Sequence, residues 1–209
     1  MVKKLDVLFV RAPQLIDEPA SYSILPEGIK LVTILEENGL SSMYYSADFM
    51  GKYRSTIIDN IEKREEILKK ETKSFLNLSH PKWRKMKYIL KKYNPAIVVI
   101  YPHKSYNYTS SLLAAKLAKK VLNNVTTIIW NVLGIYDYFI SPPYVDFVIK
   151  GNYGDTEYIT LKLVKHIKGM KKTYELKKIP NLSFKNKGKI IHTNVRTLLE
   201  DLNKYPIPN

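Results

Sequence analysis

Residues 142–163 read PPYVDFVIKGNYGDTEYITLKL, and this stretch decides the fold. Residues 145–150 are a short β-branched and aromatic run of the kind a buried strand requires. Gly151 and Gly154 break the run. Asp155 is placed to cap the helix that follows, and Glu157 puts a second negative charge in its first turn. Ile159, Leu163 and Ile167 recur at i, i+4, i+8 and give that helix one apolar face. The unit is strand, glycine turn, helix. In an open α/β sheet such turns line the crevice at the carboxyl ends of the strands, where ligands sit. Two glycines alone can equally make nothing more than a tight turn.

Working outward, the same alternation repeats. Residues 5–10 (LDVLFV) form a nearly continuous apolar run, as in a parallel strand covered on both faces. Arg11-Ala12-Pro13-Gln14 opens a long loop. Pro26 suits a first helical turn, Ile29, Val32 and Leu35 form a stripe, and Asn38-Gly39 is a stop signal. Residues 40–47 read as a second strand with Asp48 at its carboxyl end. Residues 55–76 are helical in pattern, with alternating charge at i, i+4 spacing, and Ser79-His80-Pro81 breaks them. Residues 83–93 (WRKMKYILKKY) form a basic amphipathic helix ended by Asn94-Pro95. Residues 96–101 (AIVVIY) are the clearest strand. A helix starting at Ser110 or Ser111, with Leu113, Ala114, Leu117, Ala118 and Val121 inward, leads to a strand at 125–130. An aromatic turn region at 131–143, without a helix, leads into the opening stretch. Beyond Gly169, two short strands at 180–184 and 189–193 flank Asn186-Lys187-Gly188, a hairpin turn with Gly188 left-handed. The expected fold is a flavodoxin-like doubly wound parallel sheet, order 2-1-3-4-5, with a C-terminal β-hairpin. Residues 1–169 form the main domain, and 170–209 the hairpin extension and a proline-spaced connector.

The chain has 209 residues, 45% hydrophobic, enough for one α/β core. No apolar run approaches the roughly 18 residues of a membrane span, and no signal peptide opens it, so a cytoplasmic protein without membrane contact is expected. There are no cysteines. That excludes disulfides, a cysteine nucleophile, and any iron–sulfur cluster held by this chain. The net charge of +15 favours an anionic partner, although a lysine-rich surface alone accounts for it.

Several segments taken in order resemble the N-terminal cobalamin (B12)-binding domain of radical SAM proteins. They are DVLFVRAP at 6–13, PEGIKLVTILEENG at 26–39, YNPAIVVI at 93–100, VDFVIKGNYGDTE at 145–157, IPNLSFKNKGKII at 179–191 and EDLNKYPIP at 200–208. In that family the fifth strand opens valine-aspartate-aromatic and runs into a Gly-Glu-Gly-Glu turn. A small hairpin, Asp-Leu and Pro-x-Pro then precede the catalytic barrel. Here the acidic turn is longer and has fewer acids. The Asp-x-His-x-x-Gly signature of other cobalamin domains is absent. Ala12-Pro13-Gln14-Leu15 offers no histidine to cobalt, and the usual double glycine after strand four is reduced to Leu133-Gly134.

The resemblance implies a corrinoid over the carboxyl ends of the strands, at loops 11–25, 102–108, 131–138 and 151–155. Pro13, Gln14, Gly134, Gly151 and Gly154 would border it. Ser105, Tyr106 and Asn131 would hydrogen-bond its amide arms, and His103 is the one histidine placed to reach cobalt. No residue of the chain is assigned a catalytic role, and no cluster of metal ligands is expected among His80, His166 and His192. The domain is not an enzyme alone. Its partner would be a radical SAM barrel, beyond Asn209 or on a separate chain, as in a methyltransferase-like enzyme. The other function class is a corrinoid-free interaction module. There Trp83, Arg84, Lys85, Lys87, Lys91 and Lys92, with Tyr88 and Tyr93, would bind RNA or a catalytic subunit. The plainer account packs Trp83, Ile89 and Leu90 inward and leaves the lysines to solvent. Asp48 could likewise meet a ribose, or merely cap or solvate.

Overall fold

The computed structural model describes residues 4–13, 25–47, 72–102, 108–151, 156–169 and 175–196. In chain order these form β1 (Val7–Arg11), α1 (Pro26–Glu37), β2 (Ser42–Ser46), α2 (Pro81–Tyr93), β3 (Ile97–Tyr101), α3 (Tyr108–Val121) and β4 (Thr126–Val132). There follow α4 (Tyr136–Ile140), β5 (Phe147–Lys150), α5 (Thr156–Ile167), a 3-10 turn at Leu176–Lys178, β6 (Leu182–Asn186) and β7 (Lys189–His192). Residues 72–75 are also helical. Leu76 is already in a turn; residues 55–71 of the expected helix lie outside the described residues, as do Asp48 and Asp155.

One seven-stranded sheet has the order β2-β1-β3-β4-β5-β6-β7. The first five strands are parallel, and β6 and β7 are antiparallel. The expected order 2-1-3-4-5 and the C-terminal hairpin are therefore present. The hairpin continues the same sheet: β6 pairs with β5, and Leu182 and Phe184 enter the core shared with β1, β3 and β4. The turn has two residues, Lys187 (φ 48°) and Gly188 (φ 78°). Two left-handed residues match the twist of the flanking strands.

Side chains alternate along each strand between two apolar layers. Leu8, Val10, Val98 and Ile100 face α2, α3 and α4, where Trp83, Met86, Leu90, Leu117 and Phe139 are buried. Val7, Phe9, Ile97 and Val99 face α1 and α5, against Leu31, Ile34, Leu35, Ile159 and Leu163.

Four expectations are corrected. The buried stripe of α1 is Gly28, Leu31, Ile34 and Leu35, with Ile29 and Val32 only half-buried. Gly28 rotates the helix this way because it lies on the sheet: a Cβ there would sit 2.8 Å from both Phe9 Cε1 and Tyr44 Cε2. Ser110 and Ser111 do not start α3; they lie inside it and are buried. Arg11 belongs to β1 and is fully buried. The link from β4 to β5 contains the short helix α4, anchored by Phe139 and Ile140.

At the amino end of β1, Asp6 accepts hydrogen bonds from Ser41 N at 2.9 Å and Ser41 Oγ at 3.0 Å, and pairs with Lys168 after α5. Burial acts to raise its pKa, but the bonds from Lys168 and Ser41 outweigh burial and hold the carboxyl below its ordinary 3.8. A depressed folded-state value means stability present above the unfolded-state value and lost as pH falls through the folded one. Urea midpoints measured between roughly pH 5 and pH 2 should fall less steeply for Asp6→Asn than for the parent chain. Equal slopes would remove Asp6 from the acid-side loss.

Candidate functional site

The carboxyl ends of β1, β3, β4 and β5 meet at one edge of the sheet, and the residues beyond them build the candidate site. Pro13 follows β1 and is buried; its carbonyl accepts the Ser110 hydroxyl, which ties the exit of β1 to the first turn of α3. Pro102, after β3, is also buried.

Among the described residues of this edge, those from Asn131 to Ile135 at the end of β4 and just beyond it are the most constrained. Asn131 has φ 59°, Gly134 φ 67° and Ile135 φ 38°, so three residues in five are left-handed. Asn131 shifts the register of β4 against β5 between Ile129 and Val132. Left-handed backbone at a β-branched residue is strained, by about 1–3 kcal/mol, and Ile135 carries that strain at the head of α4. The turn presents apolar surface: Leu133 is 51% exposed, Ile135 52% and Tyr138 48%. A Cβ at Gly134 would meet nothing within 4 Å, so this glycine serves the backbone conformation and leaves its surroundings open.

Gly151 has a different role. Its N–H donates to Val132 O at 2.7 Å, and a Cβ would lie 2.2 Å from Asn131 Oδ1 and 2.9 Å from Leu133 Cδ2. The close approach it permits is to the β4 turn of its own chain. Of the residues expected at the site, Pro13, Asn131, Gly134 and Gly151 lie along this edge, and Asn131, Gly134 and Gly151 converge on one turn. Gln14, His103, Ser105, Tyr106 and Gly154 lie outside the described residues.

Two buried charged residues at the same edge, Arg11 and Lys150, escaped the sequence reading. Arg11 is fully buried and stands in register between Ser46 of β2 and Tyr101 of β3. Burial and the nearby Glu27 push the Tyr101 hydroxyl above its ordinary pKa, with Arg11 opposing. Lys150, 4% exposed, ends β5. Its ammonium lies 3.3 Å from Thr193 O and 5.0 Å over the Tyr136 ring, and burial lowers its pKa while Asp137 opposes. The one available signal was a charged residue closing an apolar run, in VLFVR and in FVIK.

Lys150 sits beside a serine–histidine–acid chain that spacing alone did not reveal. Ser183 Oγ is 2.8 Å from His192 Nδ1, and His192 Nε2 is 3.0 Å from Asp137 Oδ1. Ser183 is fully buried, whereas the Asp137 side chain is 75% exposed. A nucleophile must reach its substrate; with Ser183 buried, this chain of bonds serves to fasten the hairpin to α4. Both ring nitrogens of His192 are engaged. Among the described residues, no three His, Cys, Asp or Glu side chains gather as metal ligands, and no helix is long and apolar enough to cross a membrane.

A cavity of about 390 Å³ opens at the opposite edge, among Lys119, Asn124, Val125, Asp146 and Lys185. Its charged groups are already engaged: Lys119 pairs with Asp146 at 2.6 Å, and Lys185 donates to the backbone carbonyls Pro142 O and Val145 O.

No family model matches the sequence, and no curated protein does. Solved structures do. A radical S-adenosylmethionine methyltransferase, TsrM, from Kitasatospora setae, solved with tryptophan substrate and a SAM analog, matches 90% of this chain and 30% of that one. The TM-score is 0.55 and the identity 11%. TsrM solved with cobalamin and a [4Fe-4S] cluster bound matches 98% of this chain and 32% of that one, with a TM-score of 0.55 and 13% identity. The chain thus spans about a third of TsrM, and at such identity the likeness is one of fold. This protein is similar in fold to one part of a radical S-adenosylmethionine methyltransferase, consistent with the cobalamin-binding domain that its sequence motifs resemble.

Proposed function

We propose that the chain is a cobalamin-binding-type domain that holds or shapes a corrinoid site for a radical SAM barrel and is not catalytic alone. The observation that carries this reading is the β4–α4 turn: Leu133 and Ile135 stand exposed on either side of Gly134, at the carboxyl edge of a sheet whose fold TsrM shares. A corrinoid is a wide, largely apolar ring fringed with amides. Leu133, Ile135 and Tyr138 suit its face, and the half-buried Asn131 suits an amide arm. Pro13 and Gly134 border the same edge, and Gly151 supports it from beneath by admitting Asn131. Gln14, His103, Ser105, Tyr106 and Gly154 complete the proposed rim. When bound, the corrinoid would supply a cobalt centre that relays a methyl group or governs the radical chemistry of the adjoining barrel. This chain's own contribution is to orient the ring and keep water from the face it covers. Lacking cysteine, the chain leaves the iron–sulfur cluster to its partner.

Hydroxocobalamin mixed with micromolar protein should co-elute on gel filtration as a visible chromophore near one equivalent. Leu133→Asp with Ile135→Asp should weaken retention at least tenfold while leaving the far-UV spectrum unchanged. A protein peak without chromophore would remove the binding claim.

A further inference from the structure

Among the described residues, the two long helices on one face of the sheet are purely basic, while those on the other carry both signs. Helices α2 and α3, packed side by side over the first face, contain no Asp or Glu. α2 carries six Lys or Arg residues and α3 carries three. On the opposite face, α1 and α5 carry Glu27, Glu36, Glu37 and Glu157 against Lys30, Lys162 and Lys165. A lysine-rich composition by itself would load these helices alike, and it does not.

The outer surface of α2 has the pattern of a nucleic-acid face. Arg84, Lys87, Tyr88 and Lys91 fall at i, i+3, i+4, i+7, so they share one stripe, and all four are exposed. Tyr88, at 61%, is the most exposed large hydrophobic side chain among the described residues. Lys116 and Lys120 are exposed one turn apart on the neighbouring α3. Dipole complementarity accounts for cations in the last turn of a helix. It does not account for Arg84 and Lys87 in the first half of α2, nor for an aromatic ring held in water among them. Cations that track a phosphate backbone, with a ring on which a base can stack, are the elements of single-strand recognition. An acidic protein would use the charges and leave Tyr88 without a role.

We propose that the α2–α3 layer binds single-stranded nucleic acid, with Arg84, Lys87, Lys91, Lys116 and Lys120 on phosphates and Tyr88 stacked on a base. This surface is separate from the carboxyl edge, and its test does not depend on corrinoid uptake.

The test is fluorescence anisotropy of the full chain with a labelled single-stranded oligouridylate of about 15 nucleotides, long enough to cross both helices. Log affinity should fall linearly with log salt at a slope near −3, as roughly four to five phosphate contacts imply. Arg84→Glu, Lys87→Glu and Lys91→Glu together should cost at least tenfold in affinity and flatten the slope. Tyr88→Ala should cost about fivefold with the slope unchanged. Lys162→Glu, on the opposite layer, should change nothing. These positions are exposed, and matching urea midpoints establish that the variants fold; should the triple variant unfold, Tyr88→Ala and the parent salt slope decide. No binding at low salt overturns the proposal. So does equal affinity for polyglutamate with no effect of Tyr88→Ala, which would assign the face to an acidic protein.

Discussion

Trp130→Ala should destabilise the protein by about 3–5 kcal/mol, the range for removing a large aromatic from a close-packed core. Domains of this kind are stable by only about 5–15 kcal/mol, so the variant would stand near the threshold of folding. The indole is fully buried on β4. It meets Phe9 edge-on at 5.3 Å and Tyr101 at 5.7 Å. Its N–H donates to Thr160 Oγ1 at 2.8 Å, beside the first turn of α5. Trp130 therefore joins three central strands to the helix that follows β5, directly beneath the turn begun by Asn131. Urea unfolding measures the effect. Trp130→Phe should lose about half as much, since it keeps most of the ring contact and forfeits the hydrogen bond. Thr160→Val should cost about 1 kcal/mol. A loss below about 1 kcal/mol for Trp130→Ala would mean that the site collapses without leaving a cavity, contrary to the packing described.

Trp83→Ala should cost a similar amount, about 3–5 kcal/mol, and it separates two roles that the sequence left side by side. Within WRKMKYILKKY the indole could have been a stacking platform among cations. It is instead fully buried, its N–H donating to Phe75 O at 2.7 Å and its ring 5.3 Å from that of Phe75. Truncation would leave a buried carbonyl without its donor as well as a cavity. Trp83→Phe should lower the urea midpoint and leave oligouridylate affinity unchanged, because the ring never reaches the surface; Tyr88→Ala should do the reverse. If Trp83→Phe weakened nucleic-acid binding at unchanged stability, the inward role would be untenable.

The elements legible beforehand were those with a purely local cause. VLFVR, IVVIY and TTIIWNV are apolar enough that only a strand covered on both faces explains them. Gly39 and Gly188 announced their turns because left-handed backbone is inexpensive at glycine. Helix α4 was hidden because YDYFI is five residues long and follows Ile135, a residue that local rules keep out of left-handed conformation. The α1 stripe was misplaced because Gly28 carries no hydrophobic signal, although its lack of a side chain is what seats the helix on Phe9 and Tyr44.

The amino-acid sequence by itself determined the seven strands and the long helices between them among the described residues, the parallel order of the first five strands, the hairpin, and the impossibility of a cysteine-held cluster. These follow from periodicity, turn chemistry and composition, which act over a few residues or over the chain as a whole. Tertiary structure alone decided that Arg11 and Lys150 are buried and that Gly151 makes room for Asn131. It also decided that His192 bridges Ser183 to Asp137 and that the cations of α2 and α3 share one face. Each of these depends on partners far apart in the chain, Lys150 to Thr193 or Asp137 to His192. Such partners meet only once the sheet has closed, and hydrogen bonds and burial at that range leave no trace in local pattern.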